Sequence, residues 1–214
     1  MIYLLQFDRS IFIWINSDWT NSIFNLIMPW ITHLSDPSIV WIWIIGMGLL
    51  RVKQFARPTK TTLSNIQKYK LYMQVGLFFC IFLALIYGVT AGVYNGLKHL
   101  VNRPRPFEQQ HVMLRVSSST ASDLSKNGSF PSGHASNAFM VAAFLSACIK
   151  RKPFVFYGFA GLVALSRIYL GVHFPSDVFM GAFLGWGITQ LMLSSQWLKN
   201  RITREKIFLF QQLS

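Results

Sequence analysis

From Leu71 to Leu97 the chain carries no Asp, Glu, Lys or Arg. Coiled as an α-helix, that run is about 40 Å long, more than the roughly 30 Å hydrocarbon core of a bilayer. So long an apolar run is costly to leave in water, and a small soluble core has little room for it. The remainder of the chain agrees: 52% of its 214 residues are apolar and 13% charged, about half the charge usual for soluble domains. The sequence therefore predicts an all-α integral membrane bundle, built as a single domain over 1–214.

Five further apolar runs predict spans at Trp19–Ser35 (bent at Pro29), Pro37–Leu50, Pro131–Ile149, Phe154–Val172 and Pro175–Leu198, about six in all. Ahead of them, residues 1–18 set Leu4, Leu5, Phe7, Ile11, Phe12, Trp14 and Ile15 among polar positions. This pattern predicts an amphipathic helix lying in the membrane interface. The same residues lack the basic start and small-residue cleavage site of a signal peptide, so insertion is expected to rely on the first span. Gly181-xxx-Gly185 in the last span predicts close helix packing.

The net charge of +13 is distributed between the spans. Six cations lie between Arg51 and Lys70, three at 150–152 and four between Lys199 and Lys206, together 13 of the 20 Lys and Arg. By the positive-inside rule these segments and both termini face the cytoplasm, where they also suit anionic headgroups. No basic face with interleaved aromatics exists, which argues against a nucleic-acid partner. Cys80 and Cys148 fall inside apolar runs, as expected of buried thiols rather than a disulfide framework.

The six-span topology puts Lys98–Phe130 and Arg167–Asp177 on the opposite, non-cytoplasmic face. Three short stretches there carry chemistry. Lys98 closes the longest apolar run, and Arg103-Pro104-Arg105-Pro106 follows; each Arg precedes a proline and is pushed to extended backbone, ending the helix. Next, Pro131-Ser132-Gly133-His134 opens an apolar run as a helix start does. Helix N-termini bind anions; Gly133 leaves room for approach and Ser132 offers a hydroxyl. In the third stretch, Ser166-Arg167 is followed by His173 and Asp177. An Arg this close to the membrane is a functional candidate. Asp177 suits a helix N-terminus electrostatically, and it is also placed to accept one imidazole N–H of His173, leaving the other nitrogen as nucleophile or base. Arg with Lys is a natural set for gripping phosphate.

The ordered pattern Lys-x6-Arg-Pro, Pro-Ser-Gly-His and Ser-Arg-x5-His-x3-Asp over Lys98–Asp177 closely resembles the type 2 phosphatidic acid phosphatase superfamily. That resemblance implies a lipid phosphate phosphatase of the short bacterial type, in the inner membrane, with its site on the extracytoplasmic face. It implies His173 as the nucleophile forming a phosphohistidine, Asp177 as its orienting carboxylate and His134 as the general acid. Lys98, Arg105, Ser132, Gly133 and Arg167 would hold the phosphate oxygens. Family members of this kind work without a metal or cofactor, and Asp177, the only carboxylate within the motifs, is too little for a magnesium cage.

The implied substrates are membrane lipids bearing a phosphomonoester or diphosphate: undecaprenyl diphosphate, lipid A 1-phosphate, phosphatidylglycerol phosphate or phosphatidic acid. A lipid phosphotransferase is compatible with the same site. A transporter or channel would spread its charges through several spans, whereas these gather at one face. The Ser-rich loop 107–130 is long enough to be a lid, and Asn127-Gly128-Ser129 matches a glycosylation acceptor only at the level of three residues. Arg103, His99, His111 and Glu108 lie outside the matched positions; Arg103 reads as an interfacial charge and His33 as a satisfied polar residue.

Overall fold

The computed structural model describes residues 2–36, 38–43, 45–46, 65–109, 112–149 and 152–195. Most of the basic segment 51–70, residues 150–151, the run 199–206, His111 and the ends of the second and last expected spans lie outside the described residues. Every regular element that is described is helical.

Helix α1 (Ile2–Ile13) passes through a π-helical turn at Trp14–Asp18. Asn21, in extended backbone, then accepts the Phe24 N–H on its side chain and starts α2 (Ser22–His33), as an N-cap does. At 12 residues, α2 is about 18 Å long, shorter than the apolar run from Trp19 suggested, because the cap and the turn at 34–36 trim both ends. Residues 38–43 are again helical.

Helix α3 runs from Asn65 to Val101. Asn102 takes a left-handed backbone, φ 41°, a conformation Asn tolerates better than most residues, and turns the chain into the Arg-Pro segment. Two short helices follow in the expected lid, α4 (Pro106–Gln109) and α5 (Ser118–Ser125). The remaining helices are α6 (Gly133–Cys148), α7 (Pro153–Tyr169) and α8 (Pro175–Ser194), the last two opening on proline at the first helical position. Among the described residues the run Gly76–Gln109 alone has the length and apolarity to cross a membrane unaided; α7 is shorter but equally apolar in kind.

Two buried clusters join these helices. In one, Phe82, Leu83 and Ile86 of α3 meet Met140, Val141, Phe144 and Leu145 of α6. In the other, Phe12 of α1 and Met28 of α2 pack with Ala164, Ile168 and Tyr169 of α7 and with Phe174 and Val178. The first helix is therefore anchored in the core by Phe12, while Phe7, Ile13 and Trp14 remain exposed. Cys80 and Cys148 are partly buried at the edge of the first cluster.

Helices α6 and α8 make the tightest contact. A Cβ on Gly181 would strike the Ser132 carbonyl, and one on Gly185 the Ser136 carbonyl. The Ser136 hydroxyl donates to the Gly181 carbonyl at 2.8 Å. In lipid, helix association depends on close packing and interhelical hydrogen bonds rather than on water exclusion, so these two glycines set the distance between the helices. The chain reverses between α6, α7 and α8 and leaves the C-terminal ends of α3 and α7 beside the N-terminal ends of α6 and α8.

Candidate active site

All three sequence stretches occupy those four helix ends. His173 stands in the short connection between α7 and α8 and is 2% exposed. Its Nε2 lies 3.3 Å from Arg105 Nη1. On the other side its Nδ1 faces Asp177 Oδ2 at 3.6 Å, close enough for an ion pair but long for a hydrogen bond. Burial pushes the imidazole well below its ordinary titration range, and Arg105, Arg167, Lys98 and His134 push it further the same way. Five residues far apart in sequence thus act on one imidazole.

The cations are held by main-chain oxygens. Arg105 donates from Nε to the carbonyls of Leu124 (2.8 Å) and Asn127 (3.2 Å), and from Nη1 to Val172 (3.1 Å). Lys98 Nζ donates to the Gly128 carbonyl at 2.7 Å, which Arg105 Nη2 also approaches at 3.4 Å. The Asn127-Gly128-Ser129 tripeptide is therefore bound into the site, with Ser129 fully buried. Arg167 is buried; its Nη1 donates to Thr32 Oγ1 at 2.6 Å, and its Nε has no partner among the described residues.

The α6 N-terminus is used differently from the simplest expectation. Ser132 caps it by accepting the Ala135 N–H at 3.4 Å, and its own N–H donates to the Asp177 carbonyl at 2.9 Å. Gly133 faces the Tyr94 ring, which a Cβ would approach to 3.1 Å. The missing side chain therefore accommodates Tyr94 as well as leaving the helix end open.

His134 has a partner that sequence reasoning missed. Its Nε2 lies 2.8 Å from Asp36 Oδ1, while Asp36 Oδ2 is 2.6 Å from His33 Nδ1. Burial alone would raise the Asp36 pKa, but the hydrogen bonds and charges of His134 and His33 outweigh it and bring it to about 2. A carboxylate with its pKa lowered on folding stabilises the fold above its unfolded pKa, and loses that contribution as pH falls through the folded value. The expected result is an acid-side loss of thermal stability in the window from about pH 4 to about 2, reduced in Asp36→Asn; melting scans across that range check it, and identical profiles would count against it.

Two cavities adjoin here. One, of about 400 Å³, is lined by Thr32, His33, Asp36, His134 and Arg167, with Ser117, Thr120 and Leu124 of the lid segment. The other, of about 380 Å³, is almost wholly apolar, between Leu34, Trp43, Val141 and Leu145 on one side and Phe156, Phe159 and Val163 on the other. Both take lining residues from one turn, His33 and Asp36 for the first and Leu34 and Ser35 for the second.

Two further residues were missed. Arg103, read as an interfacial charge, bonds Asp177 Oδ1 (2.6 Å), Ser176 Oγ (2.7 Å) and Asp8 Oδ2 (2.8 Å). Asp8 comes from α1. A usable signal did exist: only 7 acidic residues stand against 20 Lys and Arg, and a carboxylate in an apolar setting demands a partner. Glu108 accepts the Arg105 N–H at 2.8 Å, whereas His99 is exposed.

The comparisons with known proteins fit this geometry. A lipid A 4'-phosphatase from Bacteroides thetaiotaomicron is 28% identical over 149 residues, 67% of this chain and 65% of that protein. Phosphatidylglycerophosphatase B from Bacillus subtilis is 32% identical over 187 residues, 80% of this chain and 72% of its own. A decaprenylphosphoryl-5-phosphoribose phosphatase from Mycobacterium tuberculosis matches over 45% of its length. The chain thus spans less than two thirds of some of these relatives. The crystal structure of a transmembrane PAP2-type phosphatidylglycerolphosphate phosphatase from Bacillus subtilis superposes with a TM-score of 0.65 at 25% identity, covering 90% of this chain and 85% of that one. The model of the PAP2 superfamily matches residues 76–201. Helix order, membrane-type fold and family match agree: the chain is an all-helical membrane protein of the PAP2 superfamily.

Proposed function

We propose that this protein is a phosphatase of membrane lipid phosphates, working through a phosphohistidine on His173. The observation that carries the reading is the setting of His173: buried, with Nε2 beside Arg105 and Nδ1 toward Asp177. In a neutral imidazole so held the Nε2 lone pair accepts from Arg105 at rest and turns to phosphorus once that guanidinium engages the phosphate, while the carboxylate faces the opposite edge. Deep depression of its pKa keeps it unprotonated and nucleophilic at neutral pH.

In this reading Nε2 attacks phosphorus, the ester or anhydride bond breaks in line, and His134 supplies a proton to the departing oxygen. Lys98, Arg105 and Arg167, with Ser132 and Gly133 at the helix end, receive the charge that spreads over the equatorial oxygens. Water then attacks the phosphohistidine with His134 as base, freeing phosphate and restoring His173. The cations take the part that metal ions play in other phosphatases. Arg167 Nε, buried and without a partner among the described residues, is a donor available to a phosphate oxygen.

The adjoining cavities support a lipid as the phosphate carrier: a polar one for the head beside an apolar one for a chain. The relatives' names place lipid A, phosphatidylglycerol phosphate and a polyprenyl phosphate sugar in the range to be tested. Membrane sidedness follows in the reading from the basic segments, with the site on the extracytoplasmic face of a bacterial inner membrane.

The test is release of phosphate from a panel of lipid phosphomonoesters and diphosphates, with and without chelator. Release from at least one lipid, undiminished by chelator, is expected; failure with every lipid, or dependence on added metal, overturns it. Labelled phosphate arriving on a second lipid instead of in water would identify a transferase. His134→Ala is expected to slow turnover about a hundredfold or more, measured as steady-state release, and normal turnover would remove His134 from the acid role.

A further inference from the structure

We propose that Arg103, held by Asp8 of the N-terminal helix, is a positioning residue for the His173–Asp177 pair, so that α1 forms part of the active site. The inference rests on the phosphatase reading above, and goes beyond it by adding two residues outside the three motifs.

The argument is geometric. Asp177 is fully buried and its two oxygens are divided. Oδ2 accepts the Phe174 N–H at 2.9 Å and faces His173 Nδ1. Oδ1 is taken by Arg103 Nη1 at 2.6 Å. With one oxygen fixed by a backbone N–H and the other by a guanidinium, the carboxylate cannot rotate away from the imidazole. Such a carboxylate, unlike a freely turning one, holds a single orientation for its partner.

Arg103 is fixed in turn by three further contacts. Its guanidinium lies over the Phe174 ring, 4.1 Å from the centroid, and bonds Ser176 Oγ and Asp8 Oδ2. Asp8 closes the circuit across the chain: Oδ1 accepts the Ser176 N–H at 2.8 Å, and Oδ2 accepts the Ser176 hydroxyl at 2.6 Å. A carboxylate from one helix thus caps the N-terminus of another, where the helix dipole favours it. Arg103 lies between Asp8 and Asp177, and a single cation bridges two carboxylates that would otherwise repel.

Arg103 has a different task from Lys98, Arg105 and Arg167. Those three, with His134, lower the pKa of the imidazole, Arg105 from 3.3 Å; the guanidinium of Arg103 instead engages both carboxylates and Ser176. It acts through Asp177.

The experiment compares wild type, Arg103→Gln, Arg103→Lys and Asp8→Asn in the full chain. His173→Ala serves as the dead control. Steady-state release from the best lipid of the panel gives kcat and KM, and histidine side-chain NMR of the detergent-solubilised protein gives the His173 titration. Arg103→Gln is expected to lower kcat about ten- to a hundredfold with KM within about twofold. Arg103→Lys should recover part of the loss, and Asp8→Asn should show a smaller fall of the same kind.

The NMR readout does not depend on turnover. Removing the guanidinium leaves the Asp177 charge facing the imidazole without its counter-cation, so His173 should take up its proton at higher pH in Arg103→Gln. Wild-type kcat with an unmoved His173 titration would overturn the inference and leave the phosphatase reading standing. A rise in KM alone would also overturn it, making Arg103 a substrate-binding cation. A wild type inert toward every lipid would instead defeat the phosphatase reading, and the titration comparison would still decide whether Arg103 positions the pair.

Discussion

His173→Ala is expected to lower lipid phosphate release by about a thousandfold or more, while the protein still folds and inserts. Activity is lost because the other imidazole of the site, His134, is paired with Asp36 at 2.8 Å. The fold survives because few contacts depend on the ring. Its Nδ1 makes no hydrogen bond, and Arg105 keeps its bonds to the carbonyls of Leu124, Asn127 and Val172. Release assays check the first half, and circular dichroism with thermal melting the second. Quenching the wild type during turnover with alkaline denaturant should trap an acid-labile, base-stable phosphoryl group that the variant lacks. Wild-type release by a well-folded His173→Ala protein would remove the nucleophile from the scheme.

The second large effect is structural. Gly185→Val is expected to destabilise the bundle by about 3 kcal/mol or more, the upper part of the usual range for overpacking. The obstacle is the Ser136 carbonyl, a backbone atom that cannot rotate aside as a flexible side chain would. The helices must part, which strains the Ser136–Gly181 bond and the Ser132 N–H to Asp177 carbonyl bond. Activity should therefore fall along with the melting temperature. Gly187→Val is the matched control, since nothing lies within 4 Å of a Cβ there. Equal melting temperatures for the two variants would show that the α6–α8 contact is looser than described.

The parts legible in the sequence were those written in local patterns. Uncharged runs located the long helix and the later ones, and the expected starts at Pro131, Phe154 and Pro175 fall within two residues of the helix starts at Gly133, Pro153 and Pro175. The three stretches from Lys98 to Asp177 came together around His173 because each sits at a helix end, and helices that reverse bring their ends together.

What escaped depended on partners far away in the chain. Nothing near Arg103 points to Asp177, 74 positions on, and nothing near Asp36 points to His134, 98 positions on. Arg103 next to a membrane surface has an ordinary explanation as a charge at the interface, and only the fold shows that its two terminal nitrogens each bond a carboxylate. The amphipathic pattern of residues 1–18 likewise described a helix with one apolar side, but could not say that Phe12 and Asp8 reach the core. Gly133 was legible as a residue needing no side chain; its neighbour Tyr94 was not.

The oxygens that hold Lys98 and Arg105 belong to the peptide units of Leu124, Asn127, Gly128 and Val172. Peptide oxygens are supplied by any amino acid, so substitutions at Leu124 and Asn127 leave the grip on Arg105 intact so long as the backbone keeps its path, whereas a side chain at Gly128 would crowd the backbone of Lys98 and Arg103. Related proteins are thereby free to diverge at Ser117, Thr120 and Leu124, which border the polar cavity, without altering how the charges behind it are arranged.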